Sequence, residues 1–213
     1  ILAVYFDQWR RARLESLHRA IAAKYPRKEI LAVSARDGTH LDAWFARITN
    51  TEQSARTAMD VDYQVYAEGE ALLGWLNCTV QLAAKRPFDS EEYLTELAGA
   101  IQKRLQARKA EVAHLKMTFS PDASVTGEIA AVNLVRNDFV PELSYHLDEP
   151  VKSGQLIINL RAEAAPDVLG TAVREGLASS SKKFPAVRAT LDHLEHFRPG
   201  KPTPTHRIRR LGA

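Results

Sequence analysis

Residues 70–84 read Glu-Ala-Leu-Leu-Gly-Trp-Leu-Asn-Cys-Thr-Val-Gln-Leu-Ala-Ala, and apolar side chains alternate there with mostly polar ones. The apolar positions are Leu72, Leu76, Cys78, Val80 and Leu82. The positions between them are Trp75, Asn77, Thr79 and Gln81. Because successive side chains of a strand point to opposite faces, this alternation predicts a long antiparallel strand with one buried and one solvated face.

The segments that follow predict the rest of an α+β domain. Asp89 and Glu92 stand three residues apart before an apolar helical period, which predicts a capping box that opens a helix of roughly 20 residues. Pro166 suits the first turn of a second helix. Further strands are predicted at 111–119, 127–136 and 155–162, and a short final helix at 185–196. The sum is a β-α-β-β-β-α domain with a mostly antiparallel four-stranded sheet and helices packed on one face.

In the first 50 residues, helices and a strand alternate as they do in α/β domains. A helix is predicted over 8–24, a strand over 29–33, and an amphipathic helix after Gly38. The inward stripe of this second helix consists of Leu41, Trp44, Phe45 and Ile48. One strand cannot make a sheet, so residues 1–50 are interpreted as the C-terminal remnant of an α/β domain. Polar residues 51–62 are predicted to be a linker, followed by the α+β domain at 63–213 with a basic, Pro-rich tail.

Composition indicates a globular protein of the reducing cytoplasm. The 213 residues include one cysteine, Cys78, which cannot form an intrachain disulfide. No run approaches the roughly 20 apolar residues that span a bilayer, and no signal peptide opens the sequence. Since the first residue is Ile1 rather than methionine, we expect the chain to begin inside a longer reading frame or to have been processed.

Charge is distributed unevenly along the chain. Residues 1–57 carry ten Lys and Arg against six Asp and Glu, residues 58–164 ten against sixteen, and residues 165–213 nine against four. A nucleic-acid-binding protein usually concentrates positive charge on its folded core, whereas here two basic ends flank an acidic middle. Nucleic acid is therefore not the expected partner.

A short motif follows the strand predicted at 29–33. Ser34-Ala35-Arg36 ends that strand, and Gly38 and an amphipathic helix come next. This setting resembles the last guanine-contacting motif of P-loop GTPases. Backbone N–H groups at the end of such a strand point into the cleft at the carboxyl edge of the sheet, so the Ala35 N–H could donate to the guanine carbonyl oxygen. The alternative interpretation is a plain strand-to-helix turn.

Four later segments extend the resemblance. They are residues 66–77, 133–138, 157–163 and 197–207, which include Gly74-Trp75-Leu76-Asn77 and Phe197-Arg198-Pro199-Gly200-Lys201. In their combined order they look like the C-terminal half of CobW-type GTPases, the cobalamin-synthesis and metallochaperone proteins related to the nickel-insertion GTPases. The resemblance covers about residues 10–207.

The resemblance implies GTP and Mg²⁺ as cofactors of the full-length parent, bound by a Walker A loop. This chain has no G-x-x-x-x-G-K-[ST] sequence and no second cysteine for the Cys-x-Cys-Cys metal motif of the family. Phosphate-binding residues would therefore lie N-terminal to Ile1, and we expect no GTP hydrolysis by this chain alone. Where the family has Asn-Lys-x-Asp, this chain has Val4-Tyr5-Phe6-Asp7, in which only Asp7 could keep the carboxylate that accepts from guanine.

The family also implies partners. They are the protein's own N-terminal nucleotide domain and a metal-receiving apoprotein or cobalamin-pathway enzyme. The second domain would relay nucleotide state to that partner.

Two histidines are candidate metal ligands. His193 and His196 stand three apart in the predicted final helix, so they would share a face and could hold Zn²⁺ or Co²⁺ with one more ligand. The alternative is that they complement the helix dipole. Cys78 is expected to be a small buried apolar residue rather than a ligand.

A different class of function remains open. The chain could be a non-enzymatic α+β binding module that recognises a protein or a nucleic acid through the open face of its sheet. The features that support it are the polar strand face that contains Trp75 and Asn77, and the basic tail. Against nucleic acid, the face lacks the aromatic pairs of RNA-binding sheets.

Overall fold

A computed structural model describes residues 2–5, 11–35, 37–50, 72–124 and 127–200. These residues fall into two compact units, the first within residues 1–59 and the second within residues 60–207. The linker predicted at 51–62 lies outside the described residues.

The first unit is built around a pair of parallel strands. Its elements are β1 (Leu2–Tyr5), α1 (Arg11–Lys24), β2 (Ile30–Val33) and α2 (Leu41–Asn50). Strands β1 and β2 pair in register from Leu2 opposite Ile30 to Tyr5 opposite Val33. Parallel strands need a crossover connection, which α1 supplies. The predicted order of helix, strand and helix is confirmed, and β1 is an added strand that the hydrophobic periodicity did not reveal.

Within residues 72–124 and 127–200, the second unit contains one antiparallel sheet and two helices. Its elements are β3 (Gly74–Phe88), α3 (Ser90–Ala107), β4 (Val112–Pro121), β5 (Ala130–Leu134), β6 (Glu142–Tyr145), β7 (Val151–Ala162), α4 (Pro166–Lys183) and β8 (Val187–Phe197). The strand order is β6-β5-β4-β7-β3-β8, and every neighbouring pair is antiparallel. Strand β7 separates β3 from β4, and β3 separates β7 from β8. The unit therefore repeats a split β-α-β arrangement.

The core lies between this sheet and its two helices. Its β3 members are Leu76, Cys78, Val80 and Leu82, and its α3 members include Leu94, Leu97, Ile101 and Leu105. The predicted buried face of β3 is confirmed except at Leu72, which is 63% exposed ahead of the strand. Helices α3 and α4 approach closely, since a Cβ on Gly176 would lie 2.7 Å from Ile101.

The helix starts follow the predicted local signals. Asp89 caps α3, because its carboxylate accepts from the backbone N–H groups of Glu91 and Glu92. Pro166 opens α4 as predicted. None of the helices in the described part of the chain has both the length and the apolar character needed to cross a membrane.

The prediction of a final helix at 185–196 is wrong, because these residues belong to strand β8. Val80 pairs with Leu191 and Thr79 with His193, so Asp192 is an extra residue in a β-bulge. Without a bulge, the core-facing residue after Leu191 would be residue 193. With the bulge it is Leu194, which lies opposite Cys78. Core-facing residues therefore stand three apart, which is a spacing typical of a helix.

The predicted sheet of four strands is also too small. The structure has six strands in the second unit, because β6 and β8 were not predicted as strands. Strand β6 has only four residues, which is too short for a clear alternation. The α+β class and the antiparallel character of the sheet are confirmed.

Candidate functional site

The candidate guanine-contacting segment leaves the carboxyl edge of the β1–β2 pair. Because the two strands are parallel, both end at the same edge, with Tyr5 opposite Val33. Ser34 follows β2 directly. Asp7 follows β1 two residues after its end, and both Asp7 and Arg36 lie outside the described residues.

A closed turn follows Ser34. The buried Ser34 donates its backbone N–H to the Thr39 carbonyl oxygen over 3.0 Å. The Asp37 carboxylate accepts from the Thr39 hydroxyl and, over 2.9 Å, from the Thr39 N–H. These hydrogen bonds, led by the Thr39 hydroxyl, lower the pKa of Asp37 below its usual value. Gly38 has φ +78°, a left-handed conformation that glycine adopts without strain.

The turn leaves Ala35 exposed beside the strand ends. Its small side chain leaves room for a flat ring to approach, and a backbone N–H in such a position can donate to a carbonyl oxygen. Hydrogen bonds that join Ser34 and Asp37 to Thr39 close the turn, and Ala35 lies exposed after the end of β2.

The two candidate histidines are not brought together. On β8, His193 pairs with Thr79 on the open face of the sheet, whereas His196 pairs with Leu76 on the helix-covered face. The His196 ring packs against Gly170 of α4. The premise of a shared helix face is wrong, because residues three apart on a strand point to opposite faces.

Other metal chemistry finds no support in the side chains. Within the described ranges there is no group of three or more His, Cys, Asp or Glu residues that could hold a metal ion. Burial raises the pKa of the Cys78 thiol to about 11, and the charge of Arg174 offsets only part of this effect. Cys78 is thus protonated and unreactive at neutral pH, as expected for a buried apolar residue.

The open face of the six-stranded sheet carries a cleft that the sequence did not identify. The cleft has a volume of about 250 Å³, and its side chains are those of Trp75, Phe197, Arg161, His114, Asn77 and Asn159. The guanidinium carbon of Arg161 lies 3.6 Å from the centroid of the Trp75 ring. Phe197 flanks the indole on the other neighbouring strand, with the ring centroids 6.0 Å apart.

Strand register explains how these residues meet. Trp75 of β3 lies opposite Arg161 of β7 and opposite Phe197 of β8. Arg161 lies in turn opposite His114 of β4. Each residue occupies a solvated position of its own strand, but the register between distant strands is not a local signal. The alternation within β3 places Trp75 on the solvated face, but its neighbours on that face depend on the pairing of distant strands.

Positive charges act on His114 in this cleft. The pKa of His114 is lowered, first by burial and then by the charges of Arg161 and Lys116. Beside these groups, the Nδ2 of Asn159 donates to the Oδ1 of Asn77 over 2.8 Å. The cleft therefore combines aromatic rings, an amide pair and the Arg161 guanidinium. Lys116 lies beside it on β4, opposite Asn159.

The chain was compared with protein family models, with curated proteins and with solved structures. None of the three comparisons found a match.

Proposed function

We propose that this chain is the C-terminal part of a GTP-binding protein of the CobW type, in which the segment after β2 contacts the guanine base. The observation that carries the proposal is the parallel pairing of β1 and β2, with Tyr5 opposite Val33. Because of this pairing, the segment that leads to Asp7 and the segment Ser34-Ala35-Arg36 both begin at the same edge of the sheet. This is the edge at which α/β proteins bind nucleotides.

Each residue has a defined role in this proposal. The Ala35 N–H donates to the guanine carbonyl oxygen, and the Asp7 carboxylate accepts from the guanine N–H groups. The turn closed by Asp37 and Thr39 holds the Ala35 backbone ready before the ligand arrives. Such preorganisation lowers the entropic cost of binding.

In this proposal, phosphate binding and GTP hydrolysis are functions of the longer parent protein. GTP phosphates and Mg²⁺ would be held by residues upstream of this chain, so this chain alone is proposed to be inactive in hydrolysis. The first unit keeps an exposed apolar face on α2, where Phe45 is 48% and Ile48 is 36% exposed. This face supports the proposal, because it suits packing against the remainder of a larger α/β domain.

The second unit is proposed to relay nucleotide state to a partner in the cytoplasm. The partner would be a metal-receiving apoprotein or a cobalamin-pathway enzyme, with cobalt, zinc or nickel as the cargo. Relay requires that the unit docks differently on the nucleotide domain in the two nucleotide states.

Nucleotide titration tests the proposal. Fluorescent guanine and adenine nucleotides are titrated into this chain and into the parent protein extended upstream through its reading frame. We expect the parent to prefer guanine and to lose about tenfold in affinity on Ala35→Val, because the larger side chain blocks the approach of the base. Ala35→Ser is the matched control and should keep the affinity. A parent protein without GTP affinity in calorimetry would end the proposal.

A binding module is the second candidate function, and one row of the open face favours it. The row crosses all six strands and consists of Glu195, Asn77, Asn159, Lys116, Asn133 and Glu142. Glutamates at both ends and a lysine between them suit a protein partner better than a nucleic acid. Submicromolar RNA binding that falls steeply with salt would instead assign this face to nucleic acid.

A further inference from the structure

The strongest unassigned feature of the second unit is the guanidinium of Arg161. Its carbon lies 3.6 Å from the centroid of the Trp75 ring, a cation–π contact. A guanidinium also carries five N–H donors in its own plane. No ion pair joins Arg161 to a carboxylate in the described part of the chain. An arginine that is fixed by stacking and lacks a counter-charge is preorganised for an anion.

Two further donors stand beside Arg161. His114 lies directly opposite it on β4, and Lys116, two residues further on the same face, lies opposite Asn159. The lowered pKa of His114 has Arg161 and Lys116 among its causes and no acidic group. The charged groups that shift the pKa of His114 are therefore Arg161 of β7 and Lys116 of β4. The cleft residues of β3, Trp75 and Asn77, carry no charge.

The cleft shows signs of a site that is not optimised for stability. The indole N–H of Trp75 is buried and has no acceptor among the residues that the structure describes. A buried polar group without a partner costs free energy and is uncommon in folded proteins. Arg161 and Lys116 place two positive charges near His114, and a bound anion would reduce the repulsion between them. The Glu195 carboxylate stands on β8, opposite Asn77.

We propose that this cleft binds the phosphate group of a small phosphate monoester. The donors of Arg161, Lys116 and His114 come from three side chains on two strands, which suits a tetrahedral oxyanion better than a planar carboxylate. A phosphate monoester has three terminal oxygens and a charge of about −1.5 to −2 at neutral pH, so it matches two permanent cations and an imidazole. A cleft of about 250 Å³ lies just below the size range of sites for drug-sized ligands, which favours a small molecule.

The test uses glycerol 3-phosphate, inorganic phosphate and a short single-stranded RNA without a terminal phosphate. Binding is measured by calorimetry at constant ionic strength. We expect the monoester to bind, inorganic phosphate to bind more weakly, and the phosphodiester RNA to bind weakest. Arg161→Gln should weaken monoester binding by about tenfold or more, since it removes the charged bidentate donor.

Arg188→Gln is the matched control. Arg188 is an exposed arginine on the same face, opposite Ala83 at the far end of β3, and its loss changes net charge equally. It should change affinity by less than about twofold. Absence of monoester binding to the wild type, an equal loss in both arginine variants, or tighter binding of the RNA than of the monoester would each overturn the proposal.

This inference does not depend on the proposed guanine contact. Glycerol 3-phosphate has no base, and the variants lie outside the first unit. Monoester binding without GTP affinity in the parent protein, or the reverse, therefore separates the two proposals.

Discussion

The guanidinium carbon of Arg161 lies 3.6 Å from the centroid of the Trp75 ring, across the neighbouring strands β3 and β7. This contact holds a positive charge next to His114 and contributes to the lowering of its pKa. The charge and the aromatic platform come from strands about 85 residues apart in sequence, and only the sheet register unites them.

The first prediction concerns this charge. Arg161→Gln should raise the pKa of His114, because one of the charges that disfavour the imidazolium is removed. The measurement is an NMR titration of the histidine C2 proton, assigned by comparison with His114→Asn. Arg188→Gln should leave the titration of His114 unchanged. No change in the Arg161 variant would show that the Arg161 charge does not contribute and that burial and Lys116 set the pKa.

The second prediction compares two glycines. A Cβ on Gly154 would lie 2.5 Å from both the Phe119 ring and the Ser120 carbonyl oxygen, whereas nothing lies within 4 Å of one on Gly99. Gly154→Ala should lower the free energy of unfolding by about 2 kcal/mol through overpacking. Gly99→Ala in α3 should raise it by up to about 1 kcal/mol, because alanine favours the helix. Urea unfolding measures both, and a similar effect of the two changes would contradict the close packing at Gly154.

The third prediction tests the helix cap. Asp89 Oδ1 accepts from Glu91 N over 2.9 Å and from Glu92 N over 3.0 Å. Asp89→Ala should cost about 1 kcal/mol of stability, since two backbone donors lose their acceptor. Asp89→Asn keeps an acceptor and should remain within a few tenths of a kcal/mol of the wild type. Thermal unfolding distinguishes these outcomes, and equal losses would assign the effect to charge instead of hydrogen bonding.

The fourth prediction concerns a buried phenol. Tyr93 is fully buried, burial raises its pKa to about 12, and its hydroxyl has no hydrogen-bond partner in the described structure. Tyr93→Phe should therefore stabilise the protein by about 1 kcal/mol. Tyr93→Ala should destabilise it by about 3 kcal/mol or more, because the ring contacts with Phe88 and Phe184 are lost. Chemical denaturation is the measurement, and a loss of stability in Tyr93→Phe would reveal a hidden partner of the hydroxyl.

The fold was predictable where the signal is local. The Asp89 cap, the Pro166 start and the alternation of β3 depend on residues within one or two turns of each other, and the structure confirms them. Strand β8 was not predictable in this way, because the extra residue Asp192 shifts the alternation in the middle of the strand.

The candidate sites also differ in whether a local sequence signal marks them. Ser34-Ala35-Arg36 could be singled out because a strand, a glycine and a helix surround it in sequence. The cleft at Arg161 could not, because His114, Trp75 and Phe197 meet only after four strands have paired. The His193 and His196 pairing failed for a related reason, since it took its geometry from a helix that is absent.

The bulge at Asp192 also bears on self-association. Strand β8 is an edge of the sheet, and a straight edge of eleven residues would be a template for adding a strand from a second copy of the chain. The extra residue breaks that template between Leu191 and His193, and a bulge of this kind typically bends its strand. Asp192, the residue that obscures the strand pattern of β8 in the sequence, is therefore expected to disfavour pairing of this edge with a second copy of the chain.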